Sequence, residues 1–486
     1  MVVGERQERD NTVGRHIGHY PWNLYDTRFD MNMERISTEA IQKLTSSEAW
    51  EYLLVPHYVE GDRLKCYGEA GRDYKAAIQE LEVIHGYKVE IEGIEGNLLQ
   101  KRLRQYYRLD KTSVRTTQEA VGGHGFLMKL IEEAFDMGAS DIHFESFEQR
   151  CRVRVRIDGK LMERYVIDRG SYAALVNQIK ILSNMDISEK RLPQDGRIMY
   201  DDMGRKFDIR VSSLPAIYGE KVVMRLLTRR VELLELANLG FTKKQITDYG
   251  RAIEKPHGLV LICGPTGSGK STTLYATLRR LNRETSNILT IEDPVEYTLE
   301  GVNQVQLKED IGLTFAEALR TFLRQDPDII MLGEIRDADT ASMAIRSSLT
   351  GHLIFSTIHT NSAWGSVARL NDMGIHPYLV ANTLIMCVAQ RLVRVLCPHC
   401  KKFGTQYYES IGCAHCYFTG YSGRKALYEV ILMDEELSQA AKRGESNIEP
   451  LLKKRGITSI KEAAQNMLNK GETSFEEVLP LIETNL

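Results

Sequence analysis

Three groups of residues in this 486-residue sequence have types and spacings that could do chemistry. The first is Gly264-Pro265-Thr266-Gly267-Ser268-Gly269-Lys270-Ser271-Thr272, which fits G-x-x-x-x-G-K-[ST]. Glycines at those places let backbone N–H groups wrap phosphates, Lys270 is expected to reach the β and γ phosphates, and the Ser271 hydroxyl is expected to ligate Mg²⁺. ATP with Mg²⁺ is the ligand this pattern implies. A glycine-rich loop can match by chance, but the apolar run Leu259–Cys263 before it and the helical stretch Thr272–Leu281 after it supply the required strand and helix.

The second group is acidic. Ile288–Ile291 runs into Glu292-Asp293-Pro294-Val295-Glu296, and Ile329–Leu332 runs into Gly333-Glu334-Ile335-Arg336-Asp337. Hydrolysis of a phosphoanhydride needs one acid to hold the metal and another to orient water. Glu334 suits the metal side, and Glu296, with Glu292 and Asp293 close by, suits the water side. One such cluster is commonly a solvated strand end, but two of them follow a phosphate loop here. Leu353–Ser356 leads into His359, which either senses the γ-phosphate or makes a structural hydrogen bond.

The third group is Cys397, Cys400, Cys413 and Cys416, spaced C-x2-C-x12-C-x2-C. Four thiolates so arranged can close a tetrahedral Zn²⁺ site of the structural kind. Redox pairs or idle thiols are the alternatives, and His399 or His415 could replace one cysteine.

These residues need elements to position them. Short apolar runs at 259–263, 288–291, 329–332 and 353–356, separated by helical stretches, predict an α/β fold with a parallel sheet and crossover helices. In such sheets ligands bind beyond the carboxyl ends of the strands, where the loop and the acids lie. Upstream, Phe126–Met137 has helical spacing. Asp141–Phe144, Cys151–Ile157, Phe207–Ser213 and Lys221–Leu227 read as strands, with a hairpin signal at Asp158-Gly159. The predicted divisions are a disordered lead-in over 1–20, an N-terminal domain over 21–110, a linker over 111–125, an α+β domain over 126–230, an ATPase core over 231–396, a tetracysteine subdomain over 397–425 and a helical region over 426–486. Within 21–110, Leu98–Tyr107 reads as an exposed basic helix.

Composition narrows the classes. Lys and Arg total 63 against 66 Asp and Glu, a net charge of -3, so no global charge favours a nucleic-acid partner. Eight cysteines in a chain this long do not make a disulfide scaffold. The first ten residues are charged, and no apolar stretch approaches the ~20 residues needed to span a bilayer. The cytoplasm is the expected compartment, with any membrane attachment peripheral.

Taken together, these motifs resemble the type II secretion ATPases and the type IV pilus assembly ATPases of the secretion superfamily. The resemblance runs over about residues 126–430 and includes Ala139–Glu145, Arg191–Arg197, Asp208–Ser212, the phosphate loop, Glu292–Glu296, Leu332–Asp337, Ser356–Asn361, Gln390-Arg391-Leu392, the cysteine quartet and Gly420–Arg424. It implies a RecA-like P-loop core preceded by a PAS-like α+β domain and carrying a small zinc-binding insert. It also implies a homohexamer in which residues 126–228 and the core close over nucleotide, with Arg210 and Arg225 offered to the phosphates. Residues 21–110 would dock on cytoplasmic domains of an inner-membrane platform, with an acidic phospholipid surface as a further partner. The quartet argues against the retraction-type pilus ATPases, which resemble the same core but lack it. A conjugation or DNA-uptake motor on a related core and a non-catalytic nucleotide-binding scaffold are the competing readings.

Overall fold

A computed structural model describes residues 36–107, 125–148, 150–202, 205–227 and 235–483. The predicted lead-in and all of the linker but Gly125 lie outside the described residues.

The N-terminal unit contains α1 (Thr38–Ile41), α2 (Ser46–Tyr52), β1 (Val55–Glu60), β2 (Arg63–Glu69), α3 (Lys75–His85), β3 (Lys88–Ile94) and α4 (Gly96–Tyr106). Its sheet has the order β1-β2-β3, antiparallel then parallel. The basic helix read from sequence is only half solvent-facing: Leu99 and Leu103 of α4, with Tyr107, are buried in the core of this unit. Charges on one side hid an apolar stripe on the other.

The middle domain contains α5 (Phe126–Asp136), β4 (Ala139–Ser146), β5 (Cys151–Ile157), β6 (Lys160–Ile167), α6 (Arg169–Leu182), β7 (Gln194–Asp202), β8 (Arg205–Ala216) and β9 (Gly219–Leu227). They form a six-stranded antiparallel sheet in the order β6-β5-β4-β9-β8-β7. Period-two alternation sends Ile142, Phe144, Val153, Val155, Val211 and Met224 into a core shared with α5 and α6. The opposite face carries charge: Arg156, Asp141, Arg225, Arg210 and Arg197 stand in one cross-strand row.

The core domain follows with α7 (Lys243–Ile253), β10 (Gly258–Cys263), α8 (Lys270–Leu281), β11 (Ile288–Glu292), β12 (Asn303–Gln306), α9 (Phe315–Phe322), β13 (Ile329–Leu332), α10 (Ala338–Leu349), β14 (Leu353–Ile358), α11 (Gly365–Asp372), α12 (Pro377–Thr383) and β15 (Leu384–Leu396). The tetracysteine insert holds the small strands β16 (Lys402–Phe403) and β17 (Tyr408–Glu409), and β18 (Tyr421–Leu432) then returns to the sheet. The order is β12-β11-β13-β14-β10-β15-β18, parallel throughout except for the last pair. Every residue of β10, β11, β13 and β14 is buried, as a sheet covered on both faces requires.

Helices α13 (Glu435–Lys442), α14 (Glu449–Lys454), α15 (Ile460–Asn469) and α16 (Phe475–Glu483) complete the chain. The helical region assigned to 426–486 therefore begins late, because Ala426–Leu432 belong to β18. The polar opening of that strand, Ser422-Gly423-Arg424-Lys425, masked it in the sequence. The insert is thus an excursion between two adjacent antiparallel strands of the core sheet rather than a boundary after it.

Candidate functional site

The phosphate loop leaves the carboxyl end of β10 and enters α8. Gly264, Gly267 and Gly269 have φ of +148°, +78° and +87°, conformations that a Cβ disfavours. Space is short as well. A Cβ on Gly264 would stand 2.4 Å from the Gln390 carbonyl, and one on Gly269 would stand 2.9 Å from Gln390 Nε2. Most core helices begin on a capping side chain, as Thr242, Asp337, Asp434 and Ser459 do for α7, α10, α13 and α15. Helix α8 begins on Gly269 with no side-chain cap. Its first-turn N–H groups and the positive end of its dipole face the loop's interior.

Lys270 Nζ donates to the carbonyls of Gly264 at 2.9 Å and Pro265 at 3.1 Å. Burial holds its pKa below the ordinary lysine value, against the opposing pull of Glu334. Ser268 is buried and its Oγ has no hydrogen-bond partner. Ser271 and Thr272 are exposed, as are Pro265, Thr266 and Gly267. The loop is a cradle lined by N–H donors, with a hydroxyl and an ammonium at its mouth, and that donor set fits a polyphosphate with its Mg²⁺.

Sheet register brings the acids to the same edge, since β10, β14, β13 and β11 are parallel neighbours. Glu334 is about one-sixth exposed, pairs with His359 Nε2 at 3.3 Å and touches Arg336. Arg336 also reaches Asp293 at 3.4 Å. The hydrogen bond to Glu334 raises the pKa of Arg336, with burial working against it. Lys270, Glu334 and His359 thus form one group at the loop.

Glu292 has a different place. It is buried beneath the site, where Tyr275 donates to one carboxylate oxygen and Thr290, at 2.6 Å, and Gln304, at 3.1 Å, donate to the other. The Tyr275 hydroxyl also accepts the Glu296 amide at 3.1 Å. Glu292 is therefore a buried strut under the acidic loop, and the nucleotide contact expected of it is replaced by these side-chain bonds. Asp293 and Glu296 stand on the loop's exposed side.

Of the two arginines implied by resemblance, Arg210 is brought to the site and Arg225 is not. Arg210 hydrogen-bonds the carbonyl of Val295 and stands 3.9 Å from Glu296. Arg225 pairs with Asp141 of its own domain at 3.0 Å. Arg197, Arg210 and Arg225 are cross-strand neighbours, and like charges directly opposite are destabilising unless compensated. Asp208 compensates Arg197, Asp141 compensates Arg225, and the core supplies Glu296 to Arg210. Arg320 pairs with Glu317 on α9, and Arg324 bonds back to the Arg320 carbonyl.

Sequence reasoning gave no role to Gln390, Arg391 or Glu429. Gln390 Oε1 accepts from Thr273 at 2.9 Å, fixing α8 against β15. Arg391 is buried and donates to the carbonyls of Gln390 and Asn361. Burial raises the Glu429 pKa, and this carboxylate accepts the Ala363 amide at 2.9 Å. A buried polar run directly behind the loop is a signal only once the sheet order is known.

The cysteines converge as predicted for a metal. The four Sγ atoms lie within 4.8 Å of one another, with 3.8 Å for the pairs 397–413, 400–416 and 413–416. A tetrahedron with Zn–S of about 2.3 Å has edges of about 3.8 Å, whereas a disulfide would need about 2.05 Å. Burial pushes the Cys416 thiol up, and the amides of Cys413 and Gly420, at 3.2 and 3.3 Å from its sulfur, together with the Cys400 and Cys413 thiols outweigh that and leave it below the usual value. His399 and His415 stack on each other, ring centroids 4.2 Å apart, outside the cysteine cluster.

Fold and site together define a P-loop protein of the RecA-like α/β class with a tetracysteine insert. The family model described as Type II/IV secretion system protein matches residues 121–480, and the chain belongs to that family, within its type II secretion ATPase branch. The Pseudomonas aeruginosa type II secretion system protein HxcR is 46% identical over 370 residues, covering 76% of this chain and 79% of that protein. The Vibrio cholerae type II secretion system ATPase E is 38% identical, covering 93% of this chain and 98% of that protein. Among solved structures, the pilus retraction motor PilT with bound ADP covers 74% of this chain at a TM-score of 0.53 and 25% identity, and 97% of PilT is covered. The Legionella pneumophila ATPase DotB shares the fold, at a TM-score of 0.57 and 22% identity, covering 74% of this chain and 95% of DotB. Among the described residues no helix is long and apolar enough to cross a membrane.

Proposed function

We propose that the chain hydrolyses ATP as a homohexameric ring and couples turnover to assembly of a type II secretion pseudopilus or a type IV pilus at the inner membrane. The observation that carries this reading is the convergence of Lys270, Glu334 and His359 on the phosphate loop, with Arg210 of a second domain on the adjoining acidic loop. Lys270 and the free amides of α8 hold the β and γ phosphates. Ser271 and Glu334 hold Mg²⁺, which when bound neutralises charge on the phosphates. Glu296 orients the attacking water, and Arg210 comes to the developing charge as the two domains close. His359 reports the state of Glu334 to β14.

Zinc in the tetracysteine insert has a structural role, since the four thiolates close on one another and leave no open position. Residues 21–110 are the docking unit for the cytoplasmic domains of a membrane platform protein, and attachment to the membrane is peripheral. The names of the relatives favour secretion, and the ADP bound to PilT favours a nucleotide ligand here. The near-neutral balance of charge supports a protein partner over nucleic acid. ATP turnover per subunit measured against protein concentration tests the ring. It should climb with concentration and fall steeply when Arg210→Ala chains are mixed in, whereas a flat rate unaffected by mixing would overturn the rotary motor.

A further inference from the structure

The tetracysteine insert touches the middle domain as well as the core. Tyr417, immediately after Cys416, donates from Oη to the Asp136 carbonyl at 3.0 Å and packs against the middle-domain core. Where β18 begins, the Gly423 amide donates to Asp158 Oδ2 at 3.0 Å, and Arg424 Nε stands 3.7 Å from Asp158 Oδ1. Asp158, at φ +47° in the β5–β6 turn, is held mostly out of solvent by these contacts.

We propose that this insert is a brace that positions Arg210: by gripping Asp136 and Asp158 it fixes the orientation in which the middle domain presents Arg210 to Val295 and Glu296. This rests on the ATPase reading above.

A domain held at Arg210 alone could pivot about that point. Strand β5 is separated from β8 by β4 and β9, so the second hold acts across three strand spacings, about 14 Å. The row between the two holds is stiffened by charge. Arg156 next to the gripped turn pairs with Asp141 at 3.4 Å, Asp141 pairs with Arg225 at 3.0 Å, and Arg225 stands opposite Arg210. Arg225 is thus a positioning residue within the row.

The metal site sets the brace's shape. Tyr417 and Phe418 both have left-handed φ, +49° and +62°, a costly backbone state for such residues unless their surroundings enforce it. The bond from the Phe418 amide to the Cys413 carbonyl and that from the Cys397 amide to the Gly420 carbonyl close the turn between the ligands. Loss of the metal releases that turn and with it Tyr417.

The test is a double-mutant cycle in the full zinc-loaded chain, comparing the unmutated protein, Asp158→Ala, Arg210→Ala and the double variant. Asp158→Ala should lower kcat for ATP by roughly tenfold with KM nearly constant, and should have no further effect in the Arg210→Ala background. Independent, additive losses would overturn the brace. Hydrogen exchange supplies a readout apart from turnover: deuterium uptake over Asp293–Tyr297 should rise in Asp158→Ala, in the milder Tyr417→Phe, and in the unmutated chain stripped by a zinc chelator. Unchanged uptake in all three would overturn the brace whatever the turnover shows. An unmutated chain inactive on ATP at ring-forming concentration would count against the ATPase reading, and exchange alone would then decide the brace.

Discussion

The phosphate cradle and the tetracysteine centre are both built where the chain leaves strands of the same sheet, β10 for one and β15 for the other. They differ in what their functional atoms face. In the cysteine centre each sulfur has at least one other sulfur at 3.8 Å, and two amides already point at Cys416. In the cradle, Lys270 rests on the loop's own carbonyls, Glu334 rests on His359 and Arg336, Ser268 Oγ has no partner, and Ser271 is exposed. A closed site is committed to one geometry and contributes stability, while an open one holds its groups in exchangeable contacts so that a ligand can displace them.

Several changes would break or sharpen that contrast. Lys270→Ala should do the most damage to turnover, roughly 10³-fold or more, with weakened nucleotide binding and the melting temperature nearly unchanged; steady-state phosphate release with calorimetric titration of nucleotide checks both. Arg210→Ala should cost about 10²-fold in kcat with the nucleotide Kd preserved, and Arg225→Ala far less, because Arg225 meets Asp141 rather than the loop. Equal losses in the two variants would erase the distinction between a residue at the site and one behind it.

The cysteine pair gives the opposite pattern. Replacing Cys397 and Cys400 by Ser should empty the metal site, as read by elemental analysis, and loosen the 397–416 loop while leaving ADP binding at the cradle intact. Tyr275→Phe removes a donor to buried Glu292 and an acceptor for the Glu296 amide, and should destabilise the core by about 2 kcal/mol in denaturant melts.

The smallest effect concerns pH. Burial raises the Glu145 pKa, but hydrogen bonds from Arg154 and Arg152 outweigh it and bring the group from 4.5 down to about 2. A carboxylate depressed in the folded state stabilises fully above its unfolded pKa and loses that contribution as pH falls. The middle domain should therefore lose stability between about pH 4.5 and 2, and Glu145→Gln should flatten that part of the profile measured by thermal melts.

The two sites were also unequally legible in the sequence. Both the glycine-lysine-serine spacing and the cysteine spacing are local, and local spacing survives translation into structure. The short, mostly apolar runs of β10, β11, β13 and β14 were visible for the same reason. What the sequence hid depends on partners far along the chain. Tyr275 and Gln304 had no mark as the supports that take Glu292 out of the nucleotide site. Nothing around Asp158 or Tyr417 hinted that the first meets Gly423 and Arg424 and the second meets the Asp136 carbonyl. Strand β18 read as the start of a helical region because its polar opening crosses the insert's base before its buried half, Ala426–Ile431, joins β15. Arg210 and Arg225 looked alike in sequence and stand opposite each other in the sheet, and only their partners, Val295 and Glu296 for one and Asp141 for the other, separate them.

The most direct test of the open cradle as a hydrolytic site is phosphate release from ATP by the full chain beside its Glu334→Gln variant, at concentrations that support ring formation. ATP should bind both chains with similar affinity, and release should fall to background in the variant alone. Undiminished release by Glu334→Gln, or none from the unmutated chain, would contradict the account.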